Sequence, residues 1–406
     1  MSENIAYAGN KGGNVRSDCF VTLELRYRGG IEIDVQSKVG SLYGESIYDL
    51  AKDILHFFEV KSCHLQIEDT GALPLVIAAR IEAALKKLMD PGESYLIPML
   101  EENKYASSED QFRFSRLYLP GNTPKMMINA GIHNPNGIIL DLEDSVAPDR
   151  KQEACYLVRN ALRGINFYGA ERMVRINQFP AGLKDLKYVV PHNVHVILIP
   201  KCEVAEHVYE VEKEVHKIKE QHQTRNDIFL MPIIEDAQGV ENAYDIATAS
   251  DEVVAMAIGL EDYTADIGAQ RTSLAHESFY ARSRIVNACR AAGIQPIDSV
   301  FSDVGDEEGL RAAVKESKAL GFEGMGCIHP RQIRIIHETF APKEEEIERA
   351  KKIVDAAYEA NEKGLGVVAL GAKMIDPPVV KRAQKTLDLA IFLELVPESW
   401  REKLIY

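Results

Sequence analysis

Apolar strand-like segments alternate with amphipathic helix-like segments between residues 113 and 339, and this alternation restricts the fold more than any other feature. Alternating strands and helices, with strands apolar on both faces, predict a parallel sheet covered by helices. Eight such units predict a closed (β/α)8 barrel, a TIM barrel of the α/β class. The strand segments are Leu117–Leu119, Gly137–Asp144, Arg172–Asn177, Val194–Lys201, Asp227–Glu235, Val253–Asp262, Ile294–Asp303 and Gly324–Pro330.

A doubly wound open sheet is the alternative interpretation of the same alternation. No G-x-G-x-x-G follows the first strand segment, which argues against a dinucleotide-binding fold. We therefore expect a barrel with further elements on both sides. The predicted parts are a small α+β domain over residues 1–90, a linker over 91–112, the barrel over 113–340, and a C-terminal helical extension for a lid or for oligomerisation over 341–406.

Local patterns support the two flanking parts. Val21–Leu25 and Ile31–Val35 alternate in polarity and are joined by Arg28-Gly29-Gly30, which predicts a β-hairpin in the N-terminal domain. In the extension, Lys343–Lys363 and Pro378–Leu395 have helical spacing and are separated by a glycine-rich link. Such a link suits an element that closes over a site or reaches a neighbouring subunit.

Composition restricts the partners. The chain of 406 residues is 46% hydrophobic and 27% charged, with a formal net charge of -15, so its surface is expected to repel nucleic acid and anionic membranes. No apolar run reaches about 18 residues, so we expect no membrane-spanning helix. The six cysteines contain no C-x-x-C pair and the first residues lack a signal-peptide pattern. Free thiols in a reducing cytoplasm are the simplest interpretation.

Several of the predicted strands end in acidic residues, and two of these acids are of particular interest. Glu235 and Asp262 follow apolar runs. In a barrel, the carboxyl ends of the strands form the catalytic face, and a buried carboxylate is costly unless it is paired or binds a metal. Neighbouring carboxylates are ligands that Mg²⁺ prefers. The pair therefore predicts a magnesium site, and helix capping by these acids is the alternative.

Other charged and polar side chains stand on the same predicted face. Arg175 in an apolar strand needs an anionic partner, either a substrate carboxylate or enolate, or a structural ion pair with Asp141 or Glu143. His329 either binds ligand or is structural, and neither is favoured. Lys201 is expected to form an ion pair rather than a Schiff base, which leaves a class I aldolase as a minor alternative. The remaining strand-end acids are Asp144, Glu261, Asp298 and Asp303.

Several ordered motifs resemble the β subunit of citrate lyase and its malyl-CoA and citramalyl-CoA lyase relatives, the HpcH/HpaI aldolase family. The motifs are Leu117–Gly121, Leu140–Val146, Val174–Asn177, Ile199–Lys201, Ile234-Glu235, Gly259–Tyr263, Ile328–Ile333 and Gly371–Val379. The resemblance implies a Mg²⁺-dependent carbon–carbon lyase on a (β/α)8 barrel, commonly a trimer. It would split a citryl-, malyl- or citramalyl-type thioester into a 2-oxo acid and an acetyl- or acyl-thioester.

The same resemblance implies roles for individual residues. Glu235 and Asp262 would hold Mg²⁺, and Arg175 would contact the substrate. Asp376, lent by an adjacent subunit, would be the acid or base at the α-carbon of the thioester. Four further residues would bind substrate or cofactor or support the metal site: Asp141, Glu143, Glu261 and His329.

The N-terminal domain resembles the acyl carrier γ subunit of citrate lyase over roughly residues 6–88. That carrier holds a phosphoribosyl-dephospho-CoA arm on the serine of an A-G-T-x-E-S-x-D pattern. Here the stretch runs from Ala8 to Asp18, Ser17 abuts the aspartate, and Arg16 replaces the glutamate. Ser17 is therefore the candidate attachment site, and free CoA thioesters are the alternative acyl donors. Two other functions remain open: an aldolase for free hydroxy-oxo acids, and a carrier-linked assembly subunit of a citrate lyase-like complex.

Overall fold

The computed structural model describes residues 4–272, 274–362, 368–370 and 373–403. They belong to two compact units, Met1–Ile333 and Arg334–Tyr406, which are described separately. The first unit contains the N-terminal domain and the barrel strands.

The N-terminal domain is a mixed four-stranded sheet with two helices packed on it, which confirms the predicted small α+β domain. Its strands lie in the order β1-β2-β4-β3. Its elements are β1 (Ile5–Ala8), β2 (Cys19–Leu25), β3 (Ile31–Ser37), α1 (Gly40–Phe57), β4 (Cys63–Asp69) and α2 (Pro74–Leu88).

The predicted hairpin between β2 and β3 is wrong, because β4 lies between them. β4 pairs antiparallel with β2 and parallel with β3. Leu65 and Ile67 of β4 are almost fully buried, whereas the residues of β3 alternate between half-buried and exposed. The inner strand is therefore more deeply buried than β3, and the alternation of β2 and β3 did not reveal their partners.

Eight parallel strands close into a barrel, with the last hydrogen-bonded to the first, which confirms the predicted (β/α)8 fold. Buried apolar side chains such as Ile139, Met173 and Met231 form the core. The strands are β5 (Ser115–Pro120), β6 (Gly137–Asp141), β7 (Glu171–Arg175), β8 (Val196–Ile199), β9 (Phe229–Ile234), β10 (Ala255–Ile258), β11 (Gln295–Asp298) and β12 (Gly324–Cys327).

The helices of the barrel region lie between the strands or after the last one. They are α3 (Pro124–Met127), α4 (Lys151–Gly164), α5 (Ala205–His222), α6 (Ala237–Glu241), α7 (Ala243–Ala247), α8 (Leu260–Asp266), α9 (Phe279–Ala292), α10 (Glu307–Leu320) and α11 (Pro330–Phe340). Most strands are shorter than the sequence predicted. β10 ends at Ile258, so Asp262 lies in the first turn of α8 instead of at a strand end.

Helix α2 fixes the N-terminal domain to the barrel through buried ion pairs. Glu82 of α2 accepts hydrogen bonds from Arg159 of α4 at 3.0 and 2.6 Å. Arg80, also on α2, is 2.9 Å from Asp18 within its own domain and 3.4 Å from Glu153 of α4. These charged groups are almost inaccessible to solvent, so the two parts share one interior.

The segment predicted as a linker, 91–112, contains one short helical turn and is bonded to the barrel along its length. Asn103 donates to the carbonyl of Ile165 at 2.6 Å, and Ser107 bonds to Glu171. The segment is therefore held against the barrel surface.

The C-terminal unit pairs two helices around a short hairpin. Its elements are α12 (Glu344–Glu362), β13 (Val368–Leu370), β14 (Lys373–Ile375) and α13 (Pro377–Phe392). Buried side chains such as Val354 and Leu387 form its core. None of the helices in the described part of the chain is long and apolar enough to cross a membrane.

Candidate active site

A cleft of about 760 Å³ opens at the carboxyl ends of the barrel strands. The structure brings most of the predicted site residues to this cleft. Those that line it are Asp141, Arg175, Glu235, Glu261, Asp262 and His329. Such a concave site at this face is where TIM-barrel enzymes place their chemistry.

Glu235 follows β9 and is 7% exposed. Burial raises the pKa of its carboxyl group to about 7, although Arg175 and the backbone N–H of Lys201 act in the opposite direction. The Lys201 N–H donates to Glu235 Oε2 at 2.9 Å. A Cβ atom on Gly259 would lie only 2.6 Å from Glu235 Oε1, so a glycine is needed beside this carboxylate. A buried acid with so little compensating charge favours a cation beside it.

Asp262 and Lys201 lie at the same end of the cleft. Asp262 is about half exposed, and the Lys201 ammonium is 3.8 Å from its Oδ2 and 3.9 Å from Glu143 Oε1. Burial alone would lower the pKa of Lys201, but Asp262 and Glu143 outweigh burial and raise it. A charged lysine among acids agrees with the predicted ion pair and makes a poor Schiff-base nucleophile.

Arg175, at the end of β7, is fixed by carboxylates on two sides. It donates to both oxygens of Asp141 at 2.6 and 2.8 Å, and its Nη1 is 2.9 Å from Glu143 Oε2. Burial opposes its charge, but Asp141 outweighs that effect and raises the pKa of the guanidinium. The structural ion pair considered from the sequence is therefore present, and it holds a permanent cation rigidly at the rim of the cleft.

Two further predicted residues line the cleft with looser contacts. Glu261 is exposed and lies 3.2 Å from Arg271. His329 is half-buried, and its Nδ1 accepts a hydrogen bond from the backbone N–H of Arg331. Both side chains therefore have fewer fixed contacts than the side chains of Asp141 and Arg175.

Glu143, Ser17 and Asp376 are not among the residues that line the cleft. Glu143 is buried behind Arg175 and also accepts from Gln178 at 2.9 Å. Ser17 lies in the N-terminal domain with a φ of 56°, and its N–H donates to the carbonyl of Thr70. Asp376 belongs to the C-terminal unit, where its carboxylate accepts from Val379 N and caps α13.

The cleft residues that were missed from the sequence include Arg116 and Tyr118 of β5. The Arg175 guanidinium lies 5.4 Å from the centre of the Tyr118 ring. The signal was present, because residues 116, 118 and 120 of a strand point to one face. Polar residues at the strand ends were taken as candidates, whereas polar residues within the strands were not.

The fold and the cleft define a (β/α)8-barrel enzyme whose catalytic face gathers buried acids around fixed cations. The model of the HpcH/HpaI aldolase/citrate lyase family matches residues 115–330, and the chain belongs to this family. The model described as malonate decarboxylase delta subunit (MdcD) matches residues 8–88.

Individual relatives agree with the family. Citrate lyase subunit beta of Leuconostoc mesenteroides subsp. cremoris is 39% identical over 286 residues, which cover 70% of this chain and 95% of the relative. L-malyl-CoA/beta-methylmalyl-CoA lyase of Cereibacter sphaeroides is 31% identical, over 66% of this chain and 92% of the relative. The chain is therefore a lyase.

Solved structures agree with the family as well. Protein CitE from Mycobacterium tuberculosis, in complex with magnesium, acetoacetate and coenzyme A, is 27% identical with a TM-score of 0.58. The match covers 70% of this chain and 99% of that protein.

Proposed function

We propose that this chain is a Mg²⁺-dependent lyase that cleaves a citryl-, malyl- or citramalyl-type thioester into a 2-oxo acid and an acetyl- or acyl-thioester. The observation that carries the proposal is the buried Glu235 carboxyl group, whose pKa is raised to about 7 inside a cleft shared with Asp262 and Arg175. The lyase relatives and the magnesium complex of a similar barrel support it.

The residues present fit a magnesium ion. Glu235 and Asp262 offer hard carboxylate oxygens, and Gly259 leaves the space that the Glu235 carboxylate needs. A bound Mg²⁺ would supply polarisation of the substrate oxygen at the bond to be cleaved. The Lys201 ammonium between Glu143 and Asp262 indicates that this corner attracts positive charge.

Arg175 is proposed to stabilise negative charge on the substrate as the carbon–carbon bond breaks. Its hydrogen bonds to Asp141 and its ion pair with Glu143 fix it before the substrate arrives, so little reorganisation is needed during the reaction. As the carbon–carbon bond breaks, the substrate hydroxyl loses its proton and becomes the carbonyl of the 2-oxo acid, and the thioester departs as an enolate that must gain a proton at its α-carbon. We assign this proton transfer to Asp376 of an adjacent subunit in a homo-oligomer, in line with the family motif around it.

The N-terminal domain is proposed to act as a fixed part of the enzyme, with the acyl group delivered as a free CoA thioester. A mobile carrier would have to leave the barrel, yet Glu82 and Arg159 are paired at 2.6 Å in a buried junction. Separation would expose these paired charges and the apolar residues of α2 to water. The altered serine pattern around Ser17 agrees with this proposal.

Turnover measurements test the function. The intact protein with Mg²⁺ and citryl-CoA, malyl-CoA or citramalyl-CoA should release a 2-oxo acid, detected with a coupled dehydrogenase. Glu235→Ala should abolish turnover while the circular dichroism spectrum is retained. Lys217→Ala on the exposed face of α5 is the control and should leave turnover unchanged. Turnover of free hydroxy-oxo acids without any thioester would favour the aldolase alternative.

A further inference from the structure

The floor of the cleft carries a buried arginine without an acidic partner. Arg116, the second residue of β5, is 1% exposed and lines the cleft. Its Nη1 is 3.0 Å from the sulfur of Met231 on the opposite side of the barrel, and its Nε has no hydrogen-bond partner. Among the described residues, no carboxylate forms an ion pair with it.

Other buried arginines of the chain are satisfied differently. Arg172 bonds to the carbonyl oxygens of Asn193 and Tyr105 and stacks over the Tyr105 ring. The remainder are paired with carboxylates: Arg80 with Asp18, Arg113 with Glu171, Arg159 with Glu82, Arg175 with Asp141 and Arg282 with Asp298. Among the described residues, Arg116 is therefore a buried arginine with neither a carboxylate nor a carbonyl partner.

Arg116 has a glycine beside it on each neighbouring strand. Arg116 stands beside Gly137 on β6 and Gly326 on β12. A Cβ atom on Gly326 would lie 2.7 Å from Val300 Cγ1 and 3.1 Å from the Tyr118 ring. Tyr118 lies on the same face of β5, one step closer to the rim. Gly326 therefore leaves space for the Tyr118 ring, and the floor of the cleft carries both Tyr118 and Arg116.

A buried cation is costly unless an anion or several hydrogen bonds compensate it. The barrel core around Arg116 is apolar and includes Met231, Ile233 and Ala257. Burial lowers the pKa of Arg116, but a guanidinium stays charged at neutral pH. The cleft above it is the direction from which a compensating anion can come.

We propose that Arg116 binds a second carboxylate of the substrate, which makes it a specificity-determining residue for dicarboxylic 2-oxo or 2-hydroxy acids. The inference rests on the proposed function, because the first carboxylate would be held at the rim by the Mg²⁺ that Glu235 and Asp262 would bind. A substrate half with one carboxylate would leave the Arg116 charge uncompensated. Such sites reject the analogue that lacks the expected group.

Binding of two stable hydroxy acids tests the inference. Malate and lactate share the 2-hydroxy carboxylate, and only malate carries a second carboxylate. In isothermal titration of the intact protein with excess Mg²⁺, malate should bind about ten- to hundred-fold more tightly than lactate, the value of one charge-assisted hydrogen bond in a dry site. Arg116→Met should lose this preference, and Arg116→Lys should keep part of it.

The outcomes separate this inference from the function above. No preference for malate in the unmodified protein, or an unchanged preference in Arg116→Met, would overturn it. If Arg116→Met fails to fold, the inference is tested by the other two proteins: the unmodified protein should prefer malate, and Arg116→Lys should show a smaller preference. The two proposals can also fail separately. If malate is still preferred, but it binds without Mg²⁺ and no thioester is turned over, the role of Arg116 would be supported and the Mg²⁺-dependent lyase function rejected.

Discussion

Arg80 and Arg159 at the domain junction are paired with carboxylates, whereas Glu235 and Arg116 in the cleft have no ion-pair partner among the described residues. Both regions are buried, so solvent does not explain the difference. Charges that hold a structure together are satisfied within the chain, since an unpaired buried charge is costly. Charges left uncompensated in a cleft indicate that a ligand completes them.

The largest effect is expected from breaking the junction. Arg159→Met leaves the buried Glu82 with only its longer ion pair to Lys86 at 3.5 Å, which should lower the free energy of unfolding by about 3 kcal/mol. Urea denaturation measures the change. Lys217→Met removes an exposed ion pair with Glu214 and should cost at most about 1 kcal/mol. Equal losses in both variants would contradict the difference between paired interior and surface charges.

The pH dependence of stability should reveal the uncompensated acid. Glu235 has a folded pKa of about 7, above the ordinary 4.5, so the folded state binds this proton more tightly than the unfolded state. In metal-free protein its ionisation should therefore destabilise the fold by roughly 3 kcal/mol as pH rises from 4.5 to 7.

The Glu235→Gln variant isolates this contribution. Its stability relative to the unmodified chain should increase over the same pH range, as measured by denaturation in EDTA. Saturating Mg²⁺ should suppress the difference, because a cation compensates the carboxylate. A stability difference between the two proteins that stays constant from pH 4.5 to 8 would show that the charge of Glu235 is already compensated within the chain.

Replacement of Arg175 should separate catalysis from structure. Arg175→Lys keeps the charge but cannot bond both oxygens of Asp141 and also contact Glu143, so kcat should fall about a hundred-fold. Arg113→Lys is the matched control, because Arg113 makes the same two-pronged pair with Glu171 outside the cleft. It should reduce stability without reducing kcat.

The smallest effect is expected at Ser17. If free CoA thioesters are the substrates, Ser17→Ala should change kcat/KM by less than about two-fold, since no interaction with the transition state is removed. The intact mass of the protein from its native host should equal that of the unmodified chain. A mass increment located on Ser17 would instead assign a covalent arm to the N-terminal domain.

Sequence periodicity was sufficient to predict the barrel and the α+β domain, because both depend on which faces are apolar. It did not reveal that β4 separates β2 from β3, since strand partners depend on competition for the inner position. Similarly, Asp262 was predicted at a strand end but lies in α8. Asp262 nevertheless lies beside the cleft, because α8 begins directly after the end of β10.

The acids and Arg175 at the cleft could be selected from the sequence as charges that follow apolar runs. The sequence could not show that Arg175 is paired with both Asp141 and Glu143, because the spacing was compatible with either partner alone. Arg116 was overlooked, since its lack of a partner is apparent only when the whole barrel interior is assembled. The junction between α2 and α4 likewise depends on residues far apart in the chain.

Titration of Mg²⁺ into the metal-free protein tests the central claim most directly. Isothermal calorimetry should detect one Mg²⁺ per chain for the unmodified protein, and Glu235→Gln and Asp262→Asn should each weaken its binding strongly. Asp298→Asn is a useful control, because Asp298 lines the same cleft but is already paired with Arg282 at 2.6 Å. Unchanged Mg²⁺ binding in both Glu235→Gln and Asp262→Asn would contradict the account.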